Sequence, residues 1–126
     1  MKKAWLKRKP PKHKIPSKTR LRNKCDKLIG AKCRSIGYCE FCGKKDGTLQ
    51  WIHYITRAII KLRYDCRNYA CGCAICHFRA HDDPHWFTEQ WKKLRGKDMP
   101  MILSRESNEL KPITTEFYEN IIKKLK

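Results

Sequence analysis

Two Cys-x-x-Cys motifs, separated by 30 residues, place the strongest constraint on how this chain can fold. Cys39 is followed by Cys42 in the first motif, and Cys73 by Cys76 in the second. Two such turns can arrange four sulfur atoms tetrahedrally around one Zn²⁺, with backbone N–H groups steadying the thiolates. A redox dithiol usually lies near a βαβ pattern, which this sequence lacks. The spacing therefore predicts a structural zinc site with these four cysteines as ligands.

The zinc site would supply stability that chain length alone does not. The 126 residues suit one domain with tails. Residues 1–22, with three prolines among many cationic side chains, predict a disordered basic arm. The folded domain is then residues 23–126, which is near the lower limit for a self-sufficient core. Metal binding contributes directly to the free energy of folding in such domains.

The charge of the chain calls for a polyanionic partner. The formal net charge is +18, and residues 1–24 hold eleven Lys or Arg and no acid. Each phosphate contact by Lys or Arg releases counterions, so a nucleic acid is the expected partner, with a solubility or localisation tail as the alternative role of the arm. The sequence has no apolar run of bilayer length and no signal-peptide pattern at Met1. We therefore expect a cytoplasmic protein that does not bind membranes.

Four further cysteines lie outside the two motifs. They are Cys25, Cys33, Cys66 and Cys71. A reducing cytoplasm favours zinc thiolates over disulfides, so each is predicted to be a small buried side chain or a free thiol. A second metal site that uses Cys66 or Cys71 with a helix cysteine is the alternative.

Helix and strand signals divide the first half of the chain. Residues 23–36 predict a helix with Asn23 as its N-cap. Residues 48–54 are rich in β-forming side chains and predict a strand. Residues 55–70 are ambiguous, and a short return strand is expected around residues 62–64.

The second half predicts three helices, over residues 74–81, 84–95 and 114–125. Asp83 can cap the second of these helices, whose first turn carries a proline. Apolar side chains recur at helical spacing, and we interpret them as core rather than as a ligand box. These side chains are Phe87, Trp91, Leu94, Phe117, Ile121, Ile122 and Leu125.

Three histidines are candidates for chemistry. His53 lies at the end of the predicted strand, and alone it would be an ordinary half-buried histidine. His77 and His81 are four residues apart, so they share one helix face and suit two ligands of one cation. His85 continues the spacing, but a proline precedes it, so it is expected at the surface or facing a substrate.

The register of these residues resembles the HNH endonucleases. Asn68 is followed at +5 by Cys73, at +8 by Cys76 and at +9 by His77. HNH proteins have a histidine on a first strand, an asparagine in the second part of a hairpin, and Cys-x-x-Cys-His leading into a helix. The resemblance covers about residues 38–94. Within the HNH group, the sequence is most similar to phage recombination proteins of the NinG/Rap kind and related small phage HNH proteins.

The resemblance implies a small α+β fold. Its zinc-stapled ββα-metal core, treble-clef-like and spanning about residues 38–82, would have flanking helices and the disordered basic N-terminal arm. The resemblance also implies that the protein is a metal-dependent DNA endonuclease of phage recombination or DNA processing, with His53 as general base. Such a protein would act in the cytoplasm of a bacterial or phage-infected host cell. Mg²⁺ or Mn²⁺ would bind His77 and His81, with Asn68 or water, although Asn68 often orients the hairpin instead. Arg57 and Arg63 would grip phosphate or belong to a generic basic surface.

One position departs from the family pattern. Many members have Asp or His immediately before the base, where this chain has Ile52, which cannot bind a metal. The imidazole pair would then hold the cation alone, Asp65 or Asp82 would help, or the cation would bind weakly. Imidazole ligands also admit Ni²⁺ or Zn²⁺.

Two other functions are consistent with the composition. A zinc-dependent DNA-binding protein without catalysis would use the same cysteines and the same charge, but would not need the histidines. An RNA-binding zinc protein could stack bases on aromatic side chains, although most of these are expected in the core: Trp51, Tyr54, Trp86 and Trp91. A homodimer is possible because cutting both strands needs two active sites.

Overall fold

The computed structural model describes residues 17–45 and 47–125. Within these residues it has six helices and one two-stranded antiparallel sheet, which is the mixed α+β class that was predicted. The elements in chain order are α1 (Ser17–Arg34), β1 (Gln50–His53), α2 (Ile60–Arg63), β2 (Tyr69–Gly72), α3 (Ala74–Asp82), α4 (Pro84–Arg95), α5 (Met99–Ser107) and α6 (Thr115–Leu125). Residues 1–16 of the predicted arm lie outside the described residues.

The predicted helix start at Asn23 is wrong, because α1 begins at Ser17 and ends at Arg34. Residues 17–22 of the predicted arm therefore belong to a helix. Leu21 and Leu28 pack beside the buried Cys25 in a cluster that includes residues of α6. Lys and Arg are good helix formers, so tertiary packing extends this helix into a segment where charge alone suggested disorder.

The predicted return strand at residues 62–64 is also wrong. That region holds the single turn of α2, and the strand that pairs with β1 is β2, with His53 opposite Tyr69. A Cβ atom on Gly72 would lie 2.7 Å from the Ile52 side chain and 2.9 Å from the Phe41 ring. Glycine at this position therefore lets the first cysteine turn approach the sheet.

The later helices follow the sequence closely. Helix α4 has the predicted bounds, and the Asp83 side chain accepts a hydrogen bond of 3.1 Å from the Trp86 N–H at its start. Helices α3 and α6 differ from prediction by one residue at one end. Helix α5 was not predicted, although its Leu103 is fully buried. No helix in the described part of the chain is long and apolar enough to cross a membrane.

The sheet lies between apolar clusters. One joins Cys25 and Ile29 of α1 to Tyr118 and Ile122 of α6. Another surrounds Trp91, which is fully buried as predicted. A third contains three of the four motif cysteines. Fully burying an aliphatic side chain contributes about 1.5–3 kcal/mol. Because these clusters are small, cross-links between elements would add to the stability of the fold.

A disulfide bond joins α1 to the sheet. It links Cys33 to Cys71, whose Cα atoms lie 5.4 Å apart, so the interpretation of these two cysteines as free thiols is wrong. Sequence spacing could not show this pairing, because it depends on how α1 packs against β2. The other two cysteines outside the motifs are as predicted. Burial raises the pKa of Cys25 to about 11, and Cys66 is an exposed thiol.

Candidate functional site

The first Cys-x-x-Cys forms a tight turn that aims two sulfur atoms at one point. The N–H of Gly43 donates to the Cys39 carbonyl at 2.8 Å, and the N–H of Cys39 donates to the Lys44 carbonyl at 2.9 Å. Gly43 has a φ of 79°, a conformation that a glycine adopts without strain. The Cys42 N–H points at the Cys39 sulfur at 3.5 Å.

The second motif begins a helix. Cys73 is the N-cap of α3, and its sulfur accepts from the Cys76 N–H at 3.5 Å. The two motifs thus present the same N–H to sulfur contact, one from a turn and one from a helix start. Such contacts stabilise the thiolate form that binds metals.

The four cysteines are close enough to hold one metal ion. Their sulfur atoms all lie within 4.8 Å of one another, and those of Cys42 and Cys73 are 3.8 Å apart. Sulfurs bound tetrahedrally to zinc at ~2.3 Å would lie about 3.8 Å apart. Burial acts to raise the pKa of the Cys39 thiol, but nearby N–H groups outweigh it and lower the pKa to about 7. Among the described residues, no other group of three or more Cys, His, Asp or Glu converges in this way.

Glu40, to which the sequence pattern assigned no role, links the first turn to the sheet by hydrogen bonds. Its carboxylate accepts from the Cys71 N–H at 2.6 Å and from the Arg95 guanidinium at 3.2 Å. Arg95 also donates to the Tyr69 carbonyl at 2.9 Å. The exposed-looking Cys-Glu-Phe-Cys sequence gave no sign that this acid is half-buried and bonded to two elements.

The three candidate histidines line one cleft. The cleft has a volume of about 390 Å³, with His53 contributed by β1, and His77 and His81 by α3. The rings of His77 and His81 have centroids 5.1 Å apart. The rest of the lining consists of Trp51, Tyr54, Thr56, Arg57, Ala80, Pro84 and Phe87.

His53 is held with one nitrogen bonded and the other free to accept a proton. Its Nε2 lies 3.0 Å from the Arg63 carbonyl oxygen. A carbonyl only accepts hydrogen bonds, so Nε2 carries the hydrogen and Nδ1 keeps the lone pair of the neutral ring. The Trp51 ring packs against the imidazole with centroids 4.2 Å apart. Burial lowers the pKa of His53 to about 4, and the nearby Arg57 and Arg63 charges add to this effect.

Arg63 is buried beneath this histidine and paired with α1. Its guanidinium donates to both carboxylate oxygens of Asp26, at 2.9 Å and 2.5 Å, and its side chain is only 8% exposed. The Tyr64 hydroxyl donates to the same carboxylate at 2.8 Å. Arg57 differs: its side chain is 62% exposed, 3.9 Å from Asp26, and lines the cleft. Of the two arginines, only Arg57 is placed to meet a phosphate.

We expect Asp26→Asn to destabilise the protein by about 3 kcal/mol, because it leaves the Arg63 charge buried without a partner. Glu106→Gln is the matched control, since Glu106 pairs with Arg67 where both side chains are at least 30% exposed. The control is expected to cost no more than about 1 kcal/mol. Urea unfolding measures both, and equal losses would contradict the structural role of Asp26.

His77 is also oriented by a neighbour. Its Nδ1 lies 2.6 Å from Oε1 of Gln50 on β1. The amide oxygen accepts from Nδ1–H, so Nε2 keeps a lone pair that is free to bind a cation. Burial lowers the pKa of His77, and the neighbouring His81 adds to the effect, so the ring is held in the neutral form that metals require.

Asn68 is fully buried and has its hydrogen-bonding groups occupied. Its Oδ1 accepts from the Ile55 N–H at 2.7 Å, and its Nδ2 donates to the carbonyls of Ile55 and Leu62 at 3.1 Å. Asn68 thus ties the two ends of the loop between β1 and β2. This loop carries the Arg63 carbonyl that holds His53, so the structure places Asn68 as an organiser of the hairpin and away from the cleft lining.

The remaining candidates lie outside the cleft. Ile52 is 1% exposed and, since strand side chains alternate, faces the opposite side of β1 from His53. Asp65 is bonded to Arg67, and Asp82 is exposed at the end of α3. His85 is exposed on α4. No acid among the residues that the structure describes lines the cleft, which leaves His77 and His81 as its pair of candidate metal ligands.

A second cavity, of about 420 Å³, lies between α1, α2 and α6. Lysines and apolar side chains line it, together with Asp65 and Cys66, and it contains no histidine. The Asp65 carboxylate of this lining is already bonded to Arg67. Of the two cavities, the histidine cleft is therefore the candidate functional site.

The depressed pKa of His53 predicts a pH effect on stability. The folded pKa is about 4 against an ordinary 6.5, so the unfolded chain takes up a proton first as the pH falls. Stability is therefore lost between pH 6.5 and pH 4, by about 2 kcal/mol from pH 7 to pH 5. His53→Gln keeps a donor for the Arg63 carbonyl but does not titrate. Urea unfolding at pH 7 and pH 5 measures the loss of stability in each protein, and the loss should be about 2 kcal/mol smaller in the variant than in the wild type. Equal losses in the two proteins would contradict the burial of a neutral His53.

Comparisons of the sequence with protein-family models and with curated proteins, and of the fold with solved structures, find no match.

Proposed function

We propose that this protein is a metal-dependent DNA endonuclease that hydrolyses phosphodiester bonds in the cleft between β1 and α3. One observation carries the proposal. His53 from the hairpin and the His77 and His81 pair from α3 line the same cleft, and the bonded nitrogens of His53 and His77 leave one lone pair free on each ring. A protein that only bound DNA would not need this arrangement.

His53 acts as the general base in this mechanism. Its free Nδ1 takes a proton from water, whose oxygen forms a bond to phosphorus while the bond to the departing 3′ oxygen breaks. The low pKa keeps the ring neutral at pH 7, so Nδ1 has its lone pair. The phosphate brings negative charge into the cleft, which raises the basicity of the ring when substrate is bound.

The residues present suit a cation that accepts imidazole ligands. His77 and His81 would hold it, with Gln50 fixing the orientation of His77. A divalent cation held there would supply positive charge to the phosphate as negative charge develops on it. Mg²⁺ prefers oxygen ligands, so Mn²⁺ or another transition metal is expected to support the reaction better. Arg57 contacts the phosphate from the cleft rim.

We further propose Zn²⁺ as the ion of the four-cysteine site, since a closed set of four thiolates is a structural zinc set. We also propose that the reaction serves phage recombination or DNA processing, and the support for this is the HNH-like spacing of the cysteines and histidines in the sequence. The alternative is a zinc-dependent DNA-binding protein without catalysis. That alternative is favoured by the buried Ile52, which leaves two imidazoles as the ligands that the protein offers in the cleft.

The test is a cleavage assay on supercoiled plasmid and on branched oligonucleotides, with Mg²⁺ or Mn²⁺ added. We expect nicking that depends on added metal and is faster with Mn²⁺ than with Mg²⁺. If the wild-type protein cuts none of these substrates with either metal, the binding protein without catalysis replaces the endonuclease.

A further inference from the structure

Positive charge is concentrated on α1 more than on any other helix of the described residues. This helix carries seven Lys or Arg and one acid, Asp26, which is already paired with Arg63. By contrast, α6 carries two acids and two lysines, and α5 carries one acid and one arginine. Most of the Lys and Arg side chains of α1 therefore have no acidic partner within the helix itself.

Four of these cations form a single stripe. Arg20, Lys24, Lys27 and Arg34 are exposed, and their spacings of four, seven and fourteen residues from the first place them on one face of a helix. The buried face of α1 lies opposite and packs on α6 and the sheet. At 1.5 Å per residue the stripe is about 21 Å long. With one phosphate per 3.4 Å along each DNA strand, it matches about six phosphates.

The stripe lies next to the rim of the histidine cleft. Asp26, the neighbour of Lys27 in the chain, lies 3.9 Å from the Arg57 guanidinium, and Arg57 lines the cleft. The Tyr64 hydroxyl also donates to the Asp26 carboxylate at 2.8 Å. These contacts fix α1 against the loop that carries Arg57.

We propose that the stripe of Arg20, Lys24, Lys27 and Arg34 on α1 is a docking surface for the phosphate backbone of duplex DNA, which continues from Arg57 at the cleft. Its chemistry is that of cations in a line along one helix, which suits the phosphate backbone and offers no base-specific contact. The inference takes DNA as the ligand from the proposed function, but it concerns binding and not hydrolysis.

The test measures binding of a duplex DNA oligonucleotide by fluorescence anisotropy over a series of salt concentrations. It compares full-length protein with a variant in which the four stripe residues are glutamine. Mg²⁺ and Mn²⁺ are omitted, so cleavage does not interfere. Each lost phosphate contact removes about 0.9 from the slope of log K against log salt. We expect the slope to fall by about 3–4 and the affinity to fall by about tenfold or more.

A matched control separates a docking surface from overall charge. Glutamine in place of Lys93, Lys97, Lys123 and Lys124, all exposed, removes the same four charges from other elements. This control is expected to keep nearly the wild-type slope. Glutamine is a good helix former, and thermal unfolding checks that both variants fold.

The outcomes are distinct. If both variants lose slope equally, or if neither does, the stripe is not a docking surface. If the wild-type protein binds an RNA duplex more tightly than the DNA duplex, the assignment of DNA is overturned. A stripe-dependent salt slope in a protein that cuts no DNA would support the surface while the endonuclease proposal fails.

Discussion

His53→Gln is expected to lower the rate of metal-dependent DNA cleavage about 10²–10⁴-fold, the range over which general bases contribute. The glutamine amide can still donate to the Arg63 carbonyl that now holds Nε2 at 3.0 Å. It offers no nitrogen lone pair to accept a proton from water. Loss of rate in this variant therefore reports proton transfer rather than collapse of the hairpin.

The measurement is the initial rate of plasmid nicking in Mn²⁺, with DNA affinity determined separately in the absence of metal. His85→Gln is the control, because His85 is exposed on α4 and does not line the cleft. The control should cut at the wild-type rate. A His53→Gln variant that nicks plasmid as fast as the control would remove His53 from the mechanism.

Cys39→Ser is expected to unfold the protein at ordinary temperatures. Zinc binding to a structural thiolate site contributes about 10–16 kcal/mol of apparent free energy, and a small domain has a net stability of only about 5–15 kcal/mol. Cys39 is fully buried among the other three ligands. Serine removes one thiolate and leaves a hydroxyl that binds zinc poorly.

Zinc content by atomic spectroscopy and thermal unfolding by circular dichroism test this expectation. The wild-type protein should carry one zinc per chain and lose its cooperative transition when a strong chelator is added. Cys66→Ser is the matched control, since Cys66 is an exposed thiol outside the cluster, and it should leave both results unchanged. A metal-free wild-type protein that unfolds at the same temperature as the zinc-loaded one would refute a structural zinc.

Some elements could be predicted from the sequence because short-range interactions determine them. Helix α4 has the predicted bounds because Asp83 caps it and Pro84 suits its first turn, and both effects act within a few residues. The four ligand cysteines converge as their spacing predicted, because each Cys-x-x-Cys turn is a local structure. The early start of α1 and the position of β2 were missed, since these depend on packing between distant segments.

The candidate site divides in the same way. The sequence singled out His53, His77 and His81, and the structure lines one cleft with all three. The sequence could not show that Arg63 is buried against Asp26, or that Glu40 braces the first cysteine turn, because both contacts cross between elements far apart in the chain. These contacts decide that Arg57 presents its charge at the cleft while Arg63 does not.

The sequence by itself determined the four cysteines that converge and the class of the fold, and it singled out the histidines that line the cleft, because these follow from side-chain chemistry at short spacing. Tertiary structure alone decided which nitrogen of His53 is free, which arginine faces the cleft and that Cys33 bonds to Cys71. The physical reason is that hydrogen bonds, ion pairs and disulfides between elements require a packed arrangement, and spacing along the chain does not record it.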